Sequence, residues 1–163
     1  MMSKELWLTF DNGKETLQLP VNPPELSVGQ GSQNNSIDVF NLGEVTILQK
    51  PKAMTFGFEC FFPSKPGPYL NITDDQLKEP SYYIEVINKW RASYKPVRFI
   101  VTETEINYLC SIEEFSYSER AGDVGTLYYS LSLKEYKVVT PRVLKSVDGV
   151  LVYETKPTRP GAI

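Results

Sequence analysis

The apolar positions of this chain recur mostly with a period of two, which predicts strands. Leu6, Leu8 and Phe10 alternate with Trp7 and Thr9, and Asp11-Asn12-Gly13 follows as a tight turn. Asn-Gly tolerates the positive φ that a hairpin turn needs. Thr16–Leu19 is the expected return strand. Pro20, Pro23 and Pro24 then interrupt the ladder, because proline donates no backbone hydrogen bond. A short strand over Glu25–Gln30 leads into a polar loop at 29–35. Ile37 and Val39 alternate within Ser36–Phe40, and Val45 and Ile47 within Glu44–Leu48, around an Asn41-Leu42-Gly43 turn. This pattern predicts a second hairpin.

Phe56, Phe58, Cys60 and Phe62 give the strictest alternation in the chain. Residues 63–80 hold four prolines and read as one long loop, of the kind that is usually functional. After it the period changes. Tyr83, Val86, Ile87 and Trp90 fall at helical spacing, so a helix is expected over 81–93 with Ser81 as its N-cap. Its apolar stripe is read as packing on the sheet. Val97–Thr102, Ile106–Ile112 and Thr126–Lys137 complete the strand set, with a glycine turn at 120–125. A small hairpin is expected over 143–153, turning at Asp148-Gly149, with a frayed Pro/Gly-rich tail over 156–163. The expected class is mainly β (α+β): an antiparallel, hairpin-rich barrel or sandwich with one flanking helix. One domain is expected over 1–140, with a partly flexible extension over 141–163.

Length and charge narrow the partners. A chain of 163 residues is long enough for a substantial core. A net charge of −3 gives no basic excess for phosphates, so nucleic-acid recognition is not expected. No run of about 18 apolar residues is present, so no membrane span is expected. The start of the chain lacks a signal-peptide core.

The chain contains no histidine. That removes Ser-His-Asp and Cys-His catalysis and every His-ligated metal site. Cys60 and Cys110 sit in apolar strands and are read as buried free thiols. A disulfide between neighbouring strands is the alternative. Asp74-Asp75, Glu103/Glu105 and Glu113-Glu114 are carboxylate pairs, but none has the spacing of a calcium loop or a glycosidase pair. Gly29-Gln30-Gly31 lacks the Lys-Ser/Thr of a phosphate loop. No cofactor, metal or catalytic activity is expected. In the pairs Tyr82-Tyr83 and Tyr128-Tyr129 one ring must face outward, where it can anchor a partner protein.

Five segments together resemble a known family: 17–24 (LQLPVNPP), 43–47 (GEVTI), 61–63 (FFP), 90–93 (WRAS) with 95–102 (KPVRFIVT), and 122–131 (GDVGTLYYSL) with 133–136 (LKEY). In this order they are similar to the N-terminal domain of PBSX-type phage tail proteins, over roughly residues 5–140. The resemblance implies a structural component of a contractile tail or tail-like bacteriocin baseplate, joining the tail tube to the central hub. Longer members continue into a LysM module, which this sequence does not show. The expected partners are tube, hub and baseplate subunits, in a ring for which a hexamer is favoured over a trimer. The expected location is the virion tail or tail-like particle, after synthesis in the bacterial cytoplasm. Inter-subunit contacts are expected at Gln33, Asn34 and Asn35, at Tyr69 and Asp74, and at Arg120 and Asp123. The competing readings are a peptidoglycan- or carbohydrate-binding module using exposed Tyr and Trp7, and a hydrolase built on the glutamate pairs.

Overall fold

The computed structural model describes residues 4–139, and as backbone alone 144–147 and 150–153. Seven strands form one antiparallel sheet. They are β1 (Leu6–Phe10), β2 (Glu15–Gln18), β3 (Leu26–Gly29), β6 (Thr55–Phe62), β7 (Val97–Val101), β8 (Asn107–Arg120) and β9 (Asp123–Glu135). Their order is β2-β1-β7-β8-β9-β6-β3. β4 (Asn35–Val39) pairs only with β5 (Gly43–Ile47), and β10 (Leu144–Val147) only with β11 (Val150–Tyr153). The helix α1 spans Pro80–Ala92. The small hairpin expected near the C-terminus is therefore present. Its expected turn at Asp148-Gly149 and the tail over 156–163 lie outside the described residues.

The sheet folds over on itself without closing into a barrel. Two strands, β8 and β9, separate β7 from β6. In a flat sheet those outer two would lie about 14 Å apart, three strand spacings. Yet Phe99 on β7 stacks on Phe58 of β6 with ring centroids 5.9 Å apart, and lies 5.5 Å from Phe56. Only strong coiling brings those rings together. The helix covers the open side. Tyr83 stacks on Phe62 of β6 at 4.7 Å, and Trp90 stacks on Phe10 of β1 at 5.6 Å. The mainly-β architecture with one flanking helix is thus as expected.

Several details differ from the sequence reading. Residues 113–120 belong to strand β8, and the turn shrinks to Ala121-Gly122. The reason is a bulge. Ile112 pairs with Leu133 and Glu114 with Ser132, so Glu113 is one extra residue on β8. An inserted residue flips the alternation. Cys110 is buried before the bulge and Phe115 after it. That change of parity makes the strand look broken in the sequence. The helix also starts one residue early, at Pro80, with Glu79 in the N-cap position. Proline suits the first helical position, since its missing N–H would be unpaired there anyway. The residues buried on the helix are Pro80, Tyr83, Ile84, Ile87 and Trp90, with Val86 at the edge. The proline loop is pinned rather than free: Val21 bridges Leu70, and the Asn71 N–H donates to the Pro20 carbonyl at 2.8 Å.

One carboxylate ties the helix to β2. Lys89 Nζ donates to Glu15 Oε1 at 2.9 Å and Trp90 Nε1 donates to Oε2 at 2.8 Å. The bond from Lys89, and then that from Trp90, hold the Glu15 carboxyl below its usual range. A depressed carboxyl contributes stability above its unfolded pKa and loses it as pH falls through the folded value. Urea midpoints measured down an acid series should therefore fall less steeply for Glu15→Gln than for the parent chain.

Candidate functional site

The β4–β5 hairpin stands away from the body. Every residue from Ser27 to Lys52 is exposed except Val45, which is half-buried. Its alternation is genuine. Ile37 sits opposite Val45, with Val39 and Ile47 on the same face, while Ser36, Asp38, Glu44 and Thr46 occupy the other. In a sheet protein such an apolar face would be covered. Here it is not: Ile37, Val39 and Ile47 are all exposed. At the turn, Phe40 is 92% exposed and Leu42 is 73% exposed. Asn41 and Gly43 take positive φ of 66° and 82°, and the Leu42 N–H closes onto the Val39 carbonyl at 3.0 Å. Asp38 and Glu44 face each other across the ribbon. Directly opposed like charges disfavour a hairpin. A lone two-stranded hairpin is marginally stable in water at best. This ribbon therefore has the surface of a half-built interface.

The polar loop forms its root. The Gln49 N–H donates to Asn34 Oδ1 at 3.0 Å, the Lys52 N–H donates to the Gly31 carbonyl at 2.8 Å, and Ser32 bridges Pro51. Gln33 and Asn35 are exposed beside them, Asn35 opening β4 opposite Ile47.

A second group gathers at the far end of the β8–β9 hairpin. The Arg120 guanidinium lies 3.8 Å over the Tyr128 ring, and the Tyr128 hydroxyl donates to Asp123 Oδ2 at 3.1 Å. That bond to Asp123 raises the Tyr128 hydroxyl pKa. Tyr128 lies 5.8 Å from Phe61, which meets the edge of Tyr69 at 5.3 Å. Phe61, Tyr69, Asp123 and Tyr128 border a hollow of ≈ 270 Å³, with Arg120 stacked on Tyr128 beside it. Beside it Gly125 takes φ of 93°, its N–H donating to Glu119 Oε1 at 2.7 Å. The structure thus joins Tyr69, Arg120 and Asp123 from two distant segments. Asp74 stands apart, exposed at the start of a one-turn 3-10 helix over Asp74–Gln76. The ribbon root forms a separate site. Sequence reasoning missed Phe40 and Leu42. Their signal was present: two large apolar residues inside a turn, where polar residues are the norm.

The remaining candidates for chemistry are scattered. Glu103 sits in the β7–β8 turn with φ of 58°. Glu113 and Glu114 are exposed at the bulge, and Ser111 donates to the Glu113 carboxylate. Among the described residues, no three His, Cys, Asp or Glu side chains are grouped to hold a metal. Cys60 and Cys110 are free and buried, with β9 lying between their strands. The disulfide alternative is therefore not realised. Burial pushes both thiols up, Cys110 to about 12, which keeps them un-ionised near neutral pH.

No helix among the described residues is long and apolar enough to cross a membrane. No family model matches the chain. It is 40% identical over 156 residues to the uncharacterized protein YqbP of Bacillus subtilis (strain 168), an alignment that takes in 96% of this chain and 67% of that protein. At that identity and coverage, the chain belongs to the family of YqbP.

Proposed function

We propose that this protein is a non-enzymatic structural subunit of a contractile phage tail or tail-like bacteriocin, joining the tail tube to the central hub. The observation that carries the reading is the projecting ribbon, whose apolar face and tip are exposed, with no other element among the described residues packed substantially on them. Exposed apolar surface of this kind marks an interaction site. The five segments similar to PBSX-type tail proteins supply the kind of assembly. Tube, hub and baseplate subunits are the partners, and a hexameric ring is the favoured arrangement.

The sugar-binding reading finds less support. Sugar platforms need free ring faces. The exposed tyrosines Tyr82, Tyr94, Tyr117 and Tyr136 are dispersed over the helix, the turn after it, β8 and the residue after β9; where rings do gather, Arg120 covers a face of Tyr128, and Phe61 is flanked by Tyr69 and Tyr128. Trp7 donates its indole N–H to Glu5 at 2.9 Å, beside a half-buried ring.

Quantitative mass spectrometry of gradient-purified tail particles from the producing bacterium tests the proposal. The chain should appear in fixed ratio to the hub protein. Its absence from particles that contain tube, hub and baseplate would overturn the reading.

A further inference from the structure

Resting on that assembly reading, we propose that the ribbon tip of each copy docks into a cleft on the outer sheet face of a second copy. The tip offers Phe40 and Leu42, the two apolar side chains at the turn. Two residues back on either strand, Asp38 and Glu44 sit opposite each other on one face. An occupant of this shape needs an apolar hollow with a cationic wall.

The chain carries one. A cleft of ≈ 520 Å³ opens on the outer face of β1, β7 and β8, beside the β1–β2 turn. Pro96, Ile100, Leu109 and Val138 give it apolar surface, and Lys95 and Arg98 give it positive charge; Asp11, the one carboxylate in its lining, is neutralised by Lys14. Both cations have capacity to spare. Arg98 donates to the neutral amide oxygen of Asn107 at 2.9 Å, and no carboxylate among the described residues pairs with it. Lys95 reaches Asp11 only at 3.8 Å, and that carboxylate already accepts from Lys14 at 2.8 Å. A tip entering end-on would bury Phe40 and Leu42 and set Asp38 and Glu44 against Lys95 and Arg98. It would also relieve the repulsion between the two opposed acids.

Topology favours a second copy over self-insertion. The ribbon springs from β3 and β6 at one end of the sheet order, and the cleft lies on β1, β7 and β8 towards the other. Its substantial packing is internal to β4 and β5. Donor and acceptor are different surfaces, so the contact is heterologous, and rotation can close it into a ring. The tip buries less than a stable pair of proteins needs, so each contact is weak alone and gains from ring closure.

The test places a photoreactive benzoylphenylalanine at position 40 of the full chain, in particles grown from a mixture of light and heavy isotope-labelled copies. Mixed-isotope cross-links to peptides carrying residues 95–100 or 107–109 are expected. Cross-links within one chain, or to a different tail protein, would overturn self-docking while leaving the tail assignment standing. Absence of the chain from particles would sink the tail assignment instead. Self-docking is then judged by sedimentation of the concentrated purified chain. There, Asp38→Lys with Glu44→Lys should weaken self-association about tenfold. Adding Lys95→Glu and Arg98→Glu should restore it. Equal association of parent and double variant, or no recovery in the fourfold variant with circular dichroism unchanged, would refute the proposal.

Discussion

Replacing Phe62 with alanine is expected to cost about 3–5 kcal/mol of folding stability, the usual range for emptying a buried phenylalanine site. Phe62 is fully buried and lies between two rings: Tyr129 at 4.1 Å and Tyr83 at 4.7 Å, both nearly parallel to it. Those neighbours come from β9 and α1, so one side chain joins β6 to the adjoining strand and to the helix. No single rotamer change can fill the gap, because Tyr129 is itself buried and held at an angle to Phe58 and Phe115. Domains of this size are stable by only about 5–15 kcal/mol, so the loss would be a large share of the total. It should appear as a lower urea midpoint with an unchanged slope, and as a fall in melting temperature of roughly 10 °C. A loss under about 1 kcal/mol would mean that the helix does not dock where the ring stack puts it.

The opposite result is expected for a much larger change. Excising residues 35–47 and closing the gap with a short glycine-serine turn should alter stability by less than about 1 kcal/mol. Thirteen residues and their aliphatic side chains are removed, yet the ribbon contributes nothing to the buried core. The same excision should abolish assembly, because the apolar face, the tip and the opposed acids all go together. A point change in the tip, such as Leu42→Asp, should move in the same direction. This separation of stability from assembly distinguishes a docking arm from a misplaced core hairpin. A core hairpin would lose both together.

The body of the fold was legible because its signals are local. Phe56, Phe58, Cys60 and Phe62 alternate in the sequence and are all buried on one face. Asp11, Asn12 and Gly13 all take the positive φ that their composition allows. The helix α1 is visible in the change of period at Tyr83. Illegible features depended on what lies across the sheet. The bulge at Glu113 reverses the parity of β8, which only the partner strand reveals. Pro80 looks like the end of a loop until the helix behind it is seen. The curl that stacks Phe58 on Phe99 has no sequence signature, since those residues are brought together by two intervening strands.

The candidate contact surface was half legible. Tyr69 lies in the proline loop and Arg120 and Asp123 flank the glycine turn, and the fold brings them together around Tyr128. The polar loop at 29–35 was flagged for its composition and turns out to root the ribbon. The ribbon's alternation was read correctly, but alternation predicts a covered face, and a single chain cannot say who covers it. Phe40 and Leu42 became informative only once the fold showed both exposed.

The ribbon as an inter-subunit joint is best tested by supplying the excised chain as the cell's sole copy and analysing the tail particles that result. The account predicts a folded protein in the lysate, particles that lack it, and tubes not joined to the hub. Normal incorporation of the ribbonless chain into complete particles would contradict it.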